Sequence, residues 1–163
     1  MKNLKGRFCL VILLNIMMIM SFFLHEGHAD SEVVLSKGQL VYVSVYSHVY
    51  HGDQEKKFLL TGMVSIRNTD PNHAITIMLA DYYDSDGKVI KSYVPKPLTL
   101  NPMASTRFVV KESDTKGGSG ANFLVQWRAE TEVNEPIMEG VMIGAAGQQG
   151  ISFTSRGKAL KHK

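Results

Sequence analysis

Between Val41 and Tyr50 the side chains change character at every step. Val41, Val43, Val45 and Val49 fall on one face of an extended chain, and Tyr42, Ser44, Tyr46, His48 and Tyr50 fall on the other. A period of two in β-branched and aromatic residues marks a half-buried strand, because successive side chains of a strand point to opposite faces. That pattern excludes a helix here, and no later segment sustains a helical period.

The same logic places the remaining elements. A polar turn over His51–Lys57 leads into a second strand from Phe58 to Arg67, with Gly62 inside it. Asn68-Thr69-Asp70-Pro71-Asn72-His73 is a turn, since Asn and Asp bond their own backbone and Pro fixes φ. Ile75, Ile77 and Leu79 open a third strand that continues to Tyr83, and Asp84-Ser85-Asp86-Gly87 closes a tight hairpin onto Lys88–Val94. Further strands are expected at Leu98–Leu100, around Thr106–Val110, at Phe123–Ala129, and in a last pair at Ile137–Ile143 and Ile151–Thr154. Ser113–Ala121, with Gly117-Gly118-Ser119-Gly120 at its centre, reads as a flexible connection. About seven to nine short strands with regular turn signals predict an all-β, antiparallel two-sheet sandwich of immunoglobulin-like type, with Trp127 in its core.

The N-terminus has a different composition. Lys2, Lys5 and Arg7 precede an apolar run from Phe8 to Leu24, broken only by Asn15 and Ser21, and Gly27-His28-Ala29 offers a small-residue cleavage site before Asp30. This is the layout of a signal helix over residues 1–29. The run is also long enough to serve as an uncleaved anchor in the inner membrane through residues 8–24. The expected organisation is therefore a signal peptide or anchor at 1–29, a lead-in at 30–35, a sandwich at 36–157 and a basic tail at 158–163. The product would be exported, to the periplasm or beyond, and would meet a membrane only through an uncleaved N-terminal segment. Cys9, the one cysteine, lies at the start of the apolar run rather than its end, which argues against lipidation. Cleavage after Ala29 leaves no cysteine, so the domain must fold without disulfides. It also lowers the net charge from +3 to +1, too weak a field to expect a nucleic-acid partner.

Few residues suggest chemistry. His48, His51 and Asp53 are metal-ligand types around one turn, with His73 and Asp114 as the further ligands available. On an unbroken strand, however, His48 and His51 point to opposite faces, so they converge only if the turn reorients His51. Asp81, Asp84, Asp86 and Gly87 resemble part of a calcium loop, but the twelfth position counted from Tyr82 is Tyr93 instead of Glu. There is no Gly-x-Ser-x-Gly elbow, and the glycine run lacks the Lys-Ser/Thr of a phosphate loop. No cofactor is expected. Tyr42, Tyr46 and Tyr50 share the face of His48 on a single strand; that face either receives a partner or packs on the second sheet. With Asp114 they form the candidate interaction surface.

Four segments together resemble a known family: Val41–Gly52, Ser65–Asp70, Val109–Asp114 continuing to Gly117–Phe123, and Gln149–Phe153. Over residues 36–157 the chain is similar to a bacterial family of exported proteins catalogued as domain of unknown function 3124. The resemblance implies membership and export, and it supplies no reaction. The leading expectation is an exported, non-enzymatic module that binds an envelope protein or surface ligand. The alternative is a metal-binding protein, or metal-assisted enzyme, built on His48, His51 and Asp53.

Overall fold

The computed structural model describes residues 34–161. The expected signal segment, with its anchor alternative, lies outside them. The described chain is entirely β, with strands β1 (Leu35–Ser44), β2 (His48–His51), β3 (Lys56–Leu59), β4 (Thr61–Arg67), β5 (Ile75–Tyr83), β6 (Val89–Ser92), β7 (Leu98–Leu100), β8 (Ser105–Val110), β9 (Asn122–Asn134), β10 (Ile137–Ala146), β11 (Gln149–Arg156) and β12 (Lys158–Leu160). A six-stranded sheet runs β12-β1-β9-β5-β6, with β7 also pairing β5. A four-stranded sheet runs β11-β10-β4-β8, and β2-β3 make a separate two-stranded hairpin. Every pairing is antiparallel.

The core lies between the two main sheets. Val41, Val43, Val125, Trp127, Phe123 and Tyr82 project inward from the larger sheet, and Val64, Ile66, Met138 and Met142 from the smaller. Trp127 is fully buried, as its place on an apolar strand face predicts. All of these residues belong to the compact unit Val33–Lys163, which thus carries its own hydrophobic core, the physical requirement for folding alone.

Three expectations change. The strand expected through Val41–Tyr50 breaks after Ser44, because Ser47 and His48 are both buried and strict alternation cannot bury two neighbours. The Val45 N–H donates to the Ala121 carbonyl (3.0 Å) and the Ser47 N–H to the Gly118 carbonyl (3.1 Å) instead of continuing a sheet ladder. The strand expected from Phe58 to Arg67 breaks at Leu60, whose N–H donates to the Ser47 carbonyl (3.0 Å) and turns the chain from the hairpin into β4. The third change concerns the tail. Lys158–Leu160 is not a loose end but the edge strand β12, in register with Leu40–Tyr42, so the sandwich extends beyond residue 157.

Candidate functional site

Three loops meet at one end of the sandwich and hold the β2-β3 hairpin there. Ser47 is the clamp. Its Oγ accepts the Gly118 N–H (2.9 Å) and lies 3.3 Å from the Thr115 carbonyl, to which it donates. Ser85, in the Asp84–Gly87 turn, holds the same glycine segment from the other side. Its N–H and Oγ donate to the Gly117 carbonyl (3.0 and 3.1 Å), and its Oγ accepts the Gly120 N–H (3.0 Å). The segment expected to be flexible is thus stitched to two neighbours. Glycine is required at 117 by close approach: a Cβ there would stand 2.0 Å from Tyr82 Oη.

The hairpin projects from this clamp. Its register pairs His48 with Leu59 and His51 with Lys56, and Gly52 takes the left-handed φ of +69° that closes the turn. His48 is buried, with Nδ1 3.2 Å from Ser47 Oγ and its ring edge-on to Tyr50 at 5.1 Å. Its Nε2 is buried without a hydrogen-bond partner. Burial, and secondarily the charge of Lys57, push the His48 pKa below the ordinary histidine value. His51 is exposed and packs edge-on against Phe58 at 5.9 Å, while Asp53 is exposed in the turn. The hairpin therefore separates the two imidazoles as strand alternation requires. Among the described residues no group of three His, Cys, Asp or Glu side chains is placed to hold a metal ion.

The four residues of the candidate surface do not share a face. Tyr42 lies on the outer side of the larger sheet, opposite Leu124 and Lys158. Tyr46 packs towards β11, its ring 6.3 Å from Phe153, and so joins the rim of the core. Tyr50 is half exposed on the hairpin. Asp114 is half-buried in the glycine-rich loop, and after burial itself its charge helps raise the phenol pKa values of Tyr82 and Tyr93. Tyr93 in turn donates to the Val109 carbonyl (3.1 Å) and carries Lys91 Nζ 4.1 Å above its ring. The end of β1 after Ser44 and the break at Ser47 together send the tyrosines to three different surroundings.

Sequence reasoning missed two features. Asp70, buried in its turn, accepts the N–H groups of Asn72 (2.9 Å), His73 (2.8 Å) and Asn134 (3.1 Å). With the His73 ring they hold its pKa down at about 2. At the far end of the larger sheet, Arg128 stands between two open grooves. One, of about 540 Å³, is lined by His73, Thr76, Met78 and Glu130, and the other, of about 480 Å³, by Lys37, Gly38, Leu40 and Gln126. Strand pairing creates these grooves, and no local motif announces them.

The Ser47–His48 contact is the one Ser–His side-chain contact among the described residues. Its hydroxyl is fully buried and already occupied by backbone partners, so it lacks the access a nucleophile needs.

Comparison with known proteins adds a family and a remote likeness. No curated protein matches the chain. The crystal structure of Thermotoga maritima 1070 is similar with a TM-score of 0.45 at 11% identity, covering 74% of this chain and 92% of that one. The family described as Protein of unknown function (DUF3124) matches residues 38–160, nearly the whole sandwich, and the chain belongs to that family.

Proposed function

We propose that this is an exported, non-enzymatic module that binds a protein or surface ligand of the cell envelope through the β2-β3 hairpin and the glycine-rich loop clamped beside it. One observation carries the reading. The hairpin belongs to neither main sheet, yet its root is fixed by Ser47, and it exposes Tyr50 (50%) and Leu59 (36%) on the face that His48 also shares. Aromatic and aliphatic side chains on a rigidly held projection have the character of an interface anchor, because little conformational entropy remains to be lost on binding. Loops at one end of a sandwich are also where such scaffolds commonly carry recognition. Export rests on the basic, apolar and small-residue sequence of residues 1–29.

The test is affinity capture from native envelope with residues 33–163 as bait, followed by titration of whatever is captured. Tyr50→Ala combined with Leu59→Ser should weaken that binding at least tenfold, while Arg107→Ala, far from the hairpin on β8, leaves it unchanged. Equal binding by both variants would remove the hairpin from the account. Protein purified from that envelope should begin at Asp30; an intact Met1 in the membrane fraction would show the anchor arrangement instead.

A further inference from the structure

The outer face of the larger sheet is more apolar than a solvent-facing sheet needs to be, and its register makes it self-complementary. Outward positions follow from the pairings, since every partner of a buried residue faces in and the alternate set faces out. One cross-strand row reads Lys158 (β12), Tyr42 (β1), Leu124 (β9), Asp81 (β5). The next reads Leu160, Leu40, Gln126, Leu79, and a third places Gly38 beside Arg128. Tyr42, Leu124, Leu40 and Leu79 are half-buried, and Leu160 is 37% exposed. Among the described residues neither Lys158 nor Asp81 has an ion-pair partner, and the half-buried Asp81 has one carboxylate oxygen enclosed without a hydrogen-bond partner, leaving its other oxygen to meet a cation.

We infer that this face binds a second copy of the chain. A two-fold axis parallel to the strands, between β1 and β9, reverses each row onto itself. Lys158 then meets Asp81 of the other copy, Tyr42 meets Leu124, Leu160 meets Leu79, and Arg128 fills the groove above Gly38. The charged ends of the row come together twice, once on each side of the axis, and the apolar centre is covered. A surface that matches itself under a two-fold rotation is what an isologous dimer requires.

The geometry tolerates the twist of real sheets. Lys158 and Asp81 each lie one and a half strand spacings, about 7 Å, from the axis. A crossing angle of about 30° displaces them by roughly 3–4 Å, within the swing of a lysine side chain. The overlap is two central strands over about seven residues and two flanking strands over the three of β12, a footprint of about 300 Å² on each copy. That is small for a specific interface, so the dimer forms in the micromolar range or weaker.

Sedimentation velocity on residues 33–163, from about 5 μM to 1 mM, measures this directly. Wild type should pass from monomer to dimer across that range. K158D alone should weaken the dimer at least tenfold by turning two attractions into two repulsions, and D81K alone should do the same. An equimolar mixture of K158D and D81K restores both pairs, so it should associate where neither variant does. Leu160→Asp, at an exposed position, gives a second disruption that does not depend on D81K folding. A monomer at every concentration, or a dimer indifferent to both K158D and Leu160→Asp, overturns the inference.

Discussion

Tyr82 is fully buried against Phe123, with ring centroids 4.9 Å apart, and its hydroxyl has no hydrogen-bond partner. Burial and the charge of Asp114 accordingly drive its phenol pKa far above the ordinary value. Tyr82→Phe removes this one oxygen and leaves the ring in place. An unsatisfied buried hydroxyl costs about 1–3 kcal/mol. The vacated space, on the order of 10–15 Å³, returns roughly 0.3 kcal/mol of that as a cavity penalty. The variant should be more stable than wild type by about 1–2 kcal/mol, or roughly 3–6 °C in Tm. Gly117→Ala is the reciprocal perturbation. Its Cβ would lie 2.0 Å from Tyr82 Oη, 2.6 Å from Cζ and 2.7 Å from Ala121 Cβ, so the loop must shift. That should cost about 1–3 kcal/mol, and the cost should shrink by about 1 kcal/mol in the Tyr82→Phe background, where the worst contact is gone. Urea unfolding followed by the fluorescence of Trp127, the chain's one tryptophan and fully buried, measures all four proteins. A loss of 1 kcal/mol or more in Tyr82→Phe at unchanged m would refute the reasoning, because it would mean the hydroxyl has a partner in the fold.

Asn68 donates to the carbonyls of His73 (2.8 Å), Asn101 (3.0 Å) and Leu100 (3.2 Å) and accepts the Asp70 N–H (3.0 Å). Asn68→Ala should therefore cost about 2–4 kcal/mol in the same unfolding assay. Asn68→Asp, which turns a carboxylate on those carbonyls, should cost more at neutral pH and recover part of the loss in acid. Because the folded pKa of His48 is depressed, the unfolded chain binds the extra proton, so stability present above pH 6.5 is lost as pH falls through the folded value. Melts at pH 7.5 and 5.5 should show that loss, and His48→Asn should flatten it. One equivalent of zinc should leave Tm unchanged; a rise above about 3 °C that His48→Ala abolishes would show that the hairpin gathers ligands after all.

How much of this was legible in the sequence depends on the range of the forces involved. β5, its Asp84–Gly87 hairpin and the inward place of Trp127 follow from alternation and turn chemistry, which act over a few residues. The break at Ser47 does not, because its cause is Gly118, 71 residues away in the chain. The glycine run reads as loose until Tyr82 is placed against it, when the missing side chains become the reason it packs. Lys158–Leu160 carries too short a pattern to declare a strand, and only β1 makes it one. The metal-ligand types around Gly52 were visible, and so was the alternation that keeps His48 and His51 apart. The tyrosine face failed because it extended one period across a kink. The outer-face rows demand the register of four strands at once, which no single segment encodes.

The central claim, that the clamped hairpin is the binding surface, is tested most directly inside the native envelope. A photo-reactive phenylalanine analogue placed at position 50 of the full-length chain, and separately at position 59, should give discrete cross-linked adducts on irradiation. The same analogue at position 107, on the exposed face of β8, should give none. Adducts from position 107 with silence at both hairpin positions would contradict the account.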